Sequence, residues 1–106
     1  MAREIEVRVV FYKDANTWVA QCLEHDIAAF ATTLRDLPRA IERAIAANVC
    51  ANHDLGREGL DGIPGAPPRF GEMLREGMRI DTRSTPFPTT SHPAVRIREL
   101  VLADAA

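Results

Sequence analysis

From Glu4 to Tyr12, apolar and polar positions alternate with period two, with Ile5, Val7, Val9 and Phe11 on one side and Glu6, Arg8, Val10 and Tyr12 on the other. Successive side chains of an extended chain point to opposite faces, so this run of β-branched and aromatic residues predicts a half-buried strand. Lys13-Asp14-Ala15-Asn16 contains residues that accept turn conformations and predicts a hairpin. Thr17 to Leu23 is the second strand, with Trp18, Ala20 and Cys22 alternating against Val19, Gln21 and Leu23. Glu24-His25-Asp26 reverses the chain again, and Ile27 to Thr32 gives a third strand rich in alanine. Three strands joined by short turns form an antiparallel meander.

The period then changes to 3.6. Leu34, Leu37, Ile41, Ala44, Ile45 and Asn48 form one helical stripe, with Arg35, Arg39, Glu42 and Arg43 away from it. Thr33 and Asp36 resemble a capping box in which Asp replaces the usual Glu. Pro38 is tolerated only in a first turn, so regular helix is expected to start between Thr33 and Asp36. It should fray near Asn52 and His53, before Gly56 ends it.

Beyond Gly56 the chain is punctuated by Gly59, Gly62, Pro64-Gly65, Pro67-Pro68 and Pro86 to Pro88. One short helix is expected from Pro68 to Glu76, with proline in its first turn and Phe70, Met73 and Leu74 on one side. The rest of residues 56–93 reads as irregular covering segment. Residues 94–102 (AVRIRELVL) regain strand character, with Val95, Ile97 and Glu99 expected on one face and arginines opposite. The fold class is therefore α/β (α+β): a meander plus helix in residues 4–53, with a C-terminal strand joining the sheet.

A chain of 106 residues holds one domain, and 46% hydrophobic with 26% charged residues is a globular balance. The surface buried at this size is limited, and dimerisation would supplement it. A formal net charge of −2 offers no global positive field for nucleic acid, which is not an expected partner. No apolar run approaches a membrane span, and MAREIEVRVV lacks the apolar core of a signal peptide, so a cytoplasmic protein is expected. Cys22 and Cys50 are too few for a disulfide framework.

The run from Ile5 to Asn48 resembles the HicB-type antitoxin family and its stand-alone relatives. TWVAQCLEHDI stands at the family's second strand and turn, and ATTLRDLPRAIERAI matches its threonine-leucine helix start and the helix that follows. The resemblance implies a pared-down ribonuclease-H-like core, in which a three-stranded meander and a helix are followed by a strand parallel to the first. It also implies a protein that oligomerises and covers a small ribonuclease toxin. The family's proline- and glycine-bearing turn is Glu24-His25-Asp26 here, and GIPGAPPRFGEML has no helix-turn-helix or ribbon-helix-helix pattern.

Cys22-x-x-His25 and Cys50-x-x-His53 form a Cys₂His₂ set of the type that holds tetrahedral zinc, and Cys50 and His53 share a helix face. Buried cysteines acting as small apolar residues are the commoner case, so metal binding is the alternative reading and no cofactor is expected. His25-Asp26 and His53-Asp54 echo the dipeptide of metal phosphohydrolases but read better as turn and helix-ending residues. Two-metal nuclease chemistry needs converging carboxylates, and Glu6 and Glu42 are not aimed at one place. Cys22, Cys50, Ser84 and Ser91 lack a nucleophile elbow or a positioned base, and Ser91-His92 lies in a proline-rich loop. No glycine pattern fits a phosphate-binding loop.

Arg35, Arg39 and Arg43 recur at i, i+4, i+8 and repel one another mildly, a stripe that is either a solvated face or a contact for a protein partner or RNA phosphates. Trp18 packs under the helix or anchors a partner. Together these positions predict a non-enzymatic interaction domain acting as a homo-oligomer, with a toxin-like protein as possible partner.

Overall fold

The computed structural model describes residues 4–80 and 94–103. Its elements are β1 (Ile5–Asp14), β2 (Thr17–Cys22), β3 (Ala28–Ala31), a 3-10 turn (Leu34–Asp36), α1 (Leu37–Asp54), α2 (Pro68–Glu76), β4 (Met78–Ile80) and β5 (Val95–Leu102). The strands form one mixed sheet in the order β3-β2-β1-β5-β4. β1 is antiparallel to β2 and parallel to β5, β2 is antiparallel to β3, and β4 is antiparallel to β5.

The alternation along β1 gives this sheet two covered faces. Val7, Val9 and Phe11 join Leu37, Ile41, Ile45 and Val49 of α1 in one buried cluster. Val10, on the other face, packs with Phe70 and Leu74 of α2, and the Tyr12 and Phe70 rings lie 5.9 Å apart. Truncating a core side chain such as Ile41 to alanine therefore costs about 2–5 kcal/mol in lost transfer and cavity energy.

The meander, both short turns and the helix Pro68–Glu76 lie where the pattern placed them. Asp14 pairs with Thr17 across the two-residue Ala15-Asn16 turn, and Ala15 takes the left-handed backbone at φ 55°. At the start of the main helix, the Asp36 amide donates to Thr33 Oγ1, whose hydroxyl donates to Asp36 Oδ2 at 2.8 Å. This Thr-Asp box opens a 3-10 turn, and the α-helix itself begins at Leu37, later than expected. Pro38 thereby falls in the first α-helical turn, where its missing N–H costs no helical bond.

The expected fraying at Asn52 and His53 does not occur. The Gly56 amide donates to the His53 carbonyl and the Arg57 amide to the Asn52 carbonyl, with Gly56 at φ +76°, which is a Schellman ending. Asn52 is buried, and its Nδ2 donates to the carbonyls of Gly59 and Asp61 at 3.0 Å each. Its helix position, one turn beyond Val49 on the core side, makes it the rivet between α1 and the loop that follows.

That loop is ordered by bonds to the β2–β3 connection. The Asp26 amide donates to the Pro64 carbonyl, the Ala66 amide to the Leu23 carbonyl, and His25 Nδ1 lies 2.9 Å from the Ile63 carbonyl. A carbonyl only accepts, so the His25 proton resides on Nδ1. These bonds carry the chain around the sheet to the face opposite α1, where α2 starts.

Two features of the second half depart from the sequence reading. Met78–Ile80 forms an edge strand that the pattern did not announce, entered through Gly77. β5 carries a bulge: Val7 pairs with Ile97 but Arg8 pairs with Glu99, leaving Arg98 as the extra residue. Glu99 therefore does not share a face with Val95 and Ile97. The bulge shifts the phase by one residue, so Leu100 and Leu102 continue the apolar row and Glu99 lies on the face of Arg8. Much of the expected covering segment, residues 81–93, lies outside the described residues.

Two substitutions test this packing. A Cβ on Gly77 would stand 2.7 Å from the Leu102 carbonyl oxygen and against the Val101 side chain. Gly77→Ala is expected to destabilise the fold by about 1–3 kcal/mol, read by denaturant unfolding. Ala15→Gly should raise stability by about 1 kcal/mol, because glycine adopts the left-handed backbone without the Cβ penalty.

Candidate functional site

The structure separates the candidate zinc ligands. Cys22 is fully buried in the cluster beneath α1, and the His25 ring is engaged with Ile63 in the next connection. Cys50 lies one residue beyond the core position Val49 and is half-buried, while His53 is exposed. Among the described residues no group of three or more His, Cys, Asp or Glu side chains is arranged to hold a metal ion. Burial pushes the Cys22 thiol up from its ordinary 9.0 to about 11, the behaviour of an inert packing thiol rather than of a ligand or nucleophile.

Glu6 and Glu42 stand on opposite sides of the sheet. Glu6 alternates with the core residues Ile5 and Val7 and faces away from α1, with its Oε2 3.9 Å from Arg98 Nη1. Glu42 belongs to α1. Ser84, Ser91 and His92 lie outside the described residues.

The arginine stripe is modified. Arg35 belongs to the 3-10 turn, so α-helical spacing does not align it with Arg39 and Arg43. All three are exposed, and Arg39 and Arg43 occupy the side of α1 remote from Ile41 and Ile45. Trp18 is half-buried at the margin of the core beside its strand partner Ala31, and Lys13 Nζ stands 5.7 Å from its ring centroid. It serves the core edge and a cross-strand cation–π contact.

A charged cluster escaped the sequence reading. Glu24 accepts from the Arg8 backbone amide at 2.7 Å and from Arg8 Nε at 2.6 Å, so one carboxylate both satisfies the end of the β1–β2 ladder and holds the guanidinium. That bond pushes the Arg8 pKa further up. Beside it Arg79 donates to Glu99 at 2.7 Å, and Arg8, Arg75, Arg79 and Glu99 border a cleft of about 520 Å³ floored by Leu74 and Val101. Residues 8 and 24 meet only because the hairpin register brings them together, and Glu99 arrives only through the bulge. The outward position of Arg8 in the β1 alternation was the sole available signal.

The most open feature is the β3 edge. Among the described residues nothing pairs with the outer side of β3. The Cys22 amide donates to the Ile27 carbonyl at 2.9 Å, so Cys22 and Ile27 are a hydrogen-bonded pair of the antiparallel ladder. Such pairs alternate, which turns the N–H and C=O of Ala28 and Phe30 away from β2 and toward solvent. Phe30 is also 64% exposed, one of three large apolar side chains so placed among the described residues, with Leu55 and Met78. The alanine-rich composition of this strand was visible in the sequence, whereas its place at the end of the sheet was not.

Compared with family models, with curated proteins and with solved structures, the chain gives no match. Among the described residues no helix is long and apolar enough to cross a membrane.

The Cys22 environment makes a pH prediction. The folded thiol ionises at about 11 and the unfolded one near 9.0, so the stabilisation is complete below pH 9 and is lost as pH rises from about 9 to about 11. A loss on the order of 2–3 kcal/mol across that window follows from the size of the shift. Tyr12, also raised by burial, adds to the alkaline decline, so the diagnostic is the difference between parent and Cys22→Ala in urea unfolding at pH 8 and pH 11. Equal slopes in the two proteins would contradict it.

Proposed function

We propose that this chain is a non-enzymatic protein-interaction domain of HicB-like, degenerate ribonuclease-H-like architecture that acts as a homo-oligomer in the cytoplasm, with an antitoxin-like role toward a small toxin-like protein. The strand order β3-β2-β1-β5, with β5 parallel to β1 and α1 across one face, supports this reading. The observation that carries the reading is the β3 edge, unpaired on its outer side among the described residues, with its exposed Phe30. An uncovered strand edge is a row of unpaired donors and acceptors, and a second protein chain is the natural cover.

Several nucleophilic and ionisable side chains among the described residues have structural engagements. Cys22 fills core, His25 ties two loops together, and the carboxylates of Glu24 and Glu99 hold arginines. These engagements favour a binding role over a chemical one. Sedimentation velocity across a wide concentration series tests the reading: a dimer or higher species is expected, and a monomer at every concentration would overturn it.

A further inference from the structure

We propose that β3 pairs antiparallel with the β3 of a second copy about a two-fold axis at Phe30, extending the sheet across two molecules. The proposal rests on the homo-oligomer reading and names its surface. Backbone groups of Ala28 and Phe30 point outward, and β3 ends at Ala31 with a bend at Thr32. A two-fold axis perpendicular to the sheet at Phe30 sets Phe30 opposite Phe30 of the second copy, and Ala29 opposite its Ala31. The Phe30 pair exchanges N–H···O=C bonds in both directions, so the outward groups of Phe30 are satisfied by the same groups of the copy. α1 then lies on the same face in both molecules.

Sequence and charge favour a second copy over another occupant. Ile27-Ala28-Ala29-Phe30-Ala31-Thr32-Thr33 contains no charge and no proline, the devices that blunt natural edges against self-pairing. The opposite edge differs, since β4 is three residues long and carries Arg79 in an ion pair with Glu99. The ends of the β3 segment are complementary in the antiparallel sense. The exposed Asp26 precedes it and the exposed Arg35, itself followed by Asp36, comes after it, so self-pairing brings Asp26 of one copy toward Arg35 of the other. A parallel arrangement would set like charges together.

The side chains agree with this register. Tyr12, Val19 and Phe30 stand opposite one another along neighbouring strands, a row that begins at Phe70 of α2 and ends at the exposed Phe30. The axis continues that row through the second copy and places the two Phe30 rings across from each other. Because the contact is isologous it closes at two copies and does not propagate into a fibre.

Phe30→Lys places two like charges across the axis, and the expected result is a shift from dimer to monomer in sedimentation, with circular dichroism unchanged because the side chain is largely exposed. Met78→Lys, on the other edge, should leave the dimer intact. Independently, Phe30→Cys in a Cys50→Ser background should cross-link into covalent dimers with a short bis-maleimide, since the remaining Cys22 is buried. A Phe30→Lys protein that still dimerises, or a dimer whose introduced thiols do not cross-link, would overturn this interface while leaving the homo-oligomer reading standing. A parent protein that is monomeric throughout would overturn both. If Phe30→Lys fails to fold, the cross-linking result decides.

Discussion

The pairing of β1 with two neighbours of opposite direction is the constraint on which the rest of the molecule depends. β2 reaches β1 through a two-residue turn, but β5 runs parallel to it and needs a long crossover. The intervening chain covers both faces on its way, with α1 on one side and α2 on the other. Strands β1 and β5 feed both clusters: Val7, Val9 and Phe11 of β1 with Val95 and Leu100 of β5 enter one, and Val10 with Val101 enters the other. The two-sided burial of β1 explains why the chain after α1 is not decoration: without α2, Val10 and the ring of Tyr12 would face water.

Much of this was legible in local pattern. The period-two runs located the meander, the change to 3.6 located α1, and a proline followed by Phe70, Met73 and Leu74 located α2 to the residue. Val10 and Tyr12 are apolar on the side where Glu6 and Arg8 are polar, yet the strand reads as half-buried, and the cover that α2 gives this second face was not anticipated. Features that arise between distant segments were not legible. The Arg98 bulge exists because the charged lower half and the apolar upper half of β5 must each match β1, and nothing in AVRIRELVL marks where the phase changes. The Glu24 clamp depends on register, and β4 is too short to show a period. Asn52 misled because a polar residue near a helix end resembles a fraying signal until its two carbonyl acceptors are seen.

The candidate site was legible in still smaller part. The paired Cys-x-x-His spacing carried no information about direction, and the strand holding Cys22 turns that thiol into the core. Arg39 and Arg43 were correctly placed on the solvent side of α1, whereas Arg35 was displaced by the 3-10 turn that Pro38 makes natural. The open edge of β3 depends on strand order, a global property. A short stretch of alanines carried no sign that the sheet would end there.

The parallel β1–β5 contact also orders events during synthesis. β1, β2, β3 and α1 leave the ribosome first and form local contacts, while the strand that seals the other side of β1 is made only after all of them. Until it arrives, the central strand of the finished sheet is itself an edge, and the growing chain exposes two unprotected borders at once. A non-local closure of this kind is slow relative to hairpin formation, so the nascent domain passes through a period in which chaperone capture or premature self-association competes with folding.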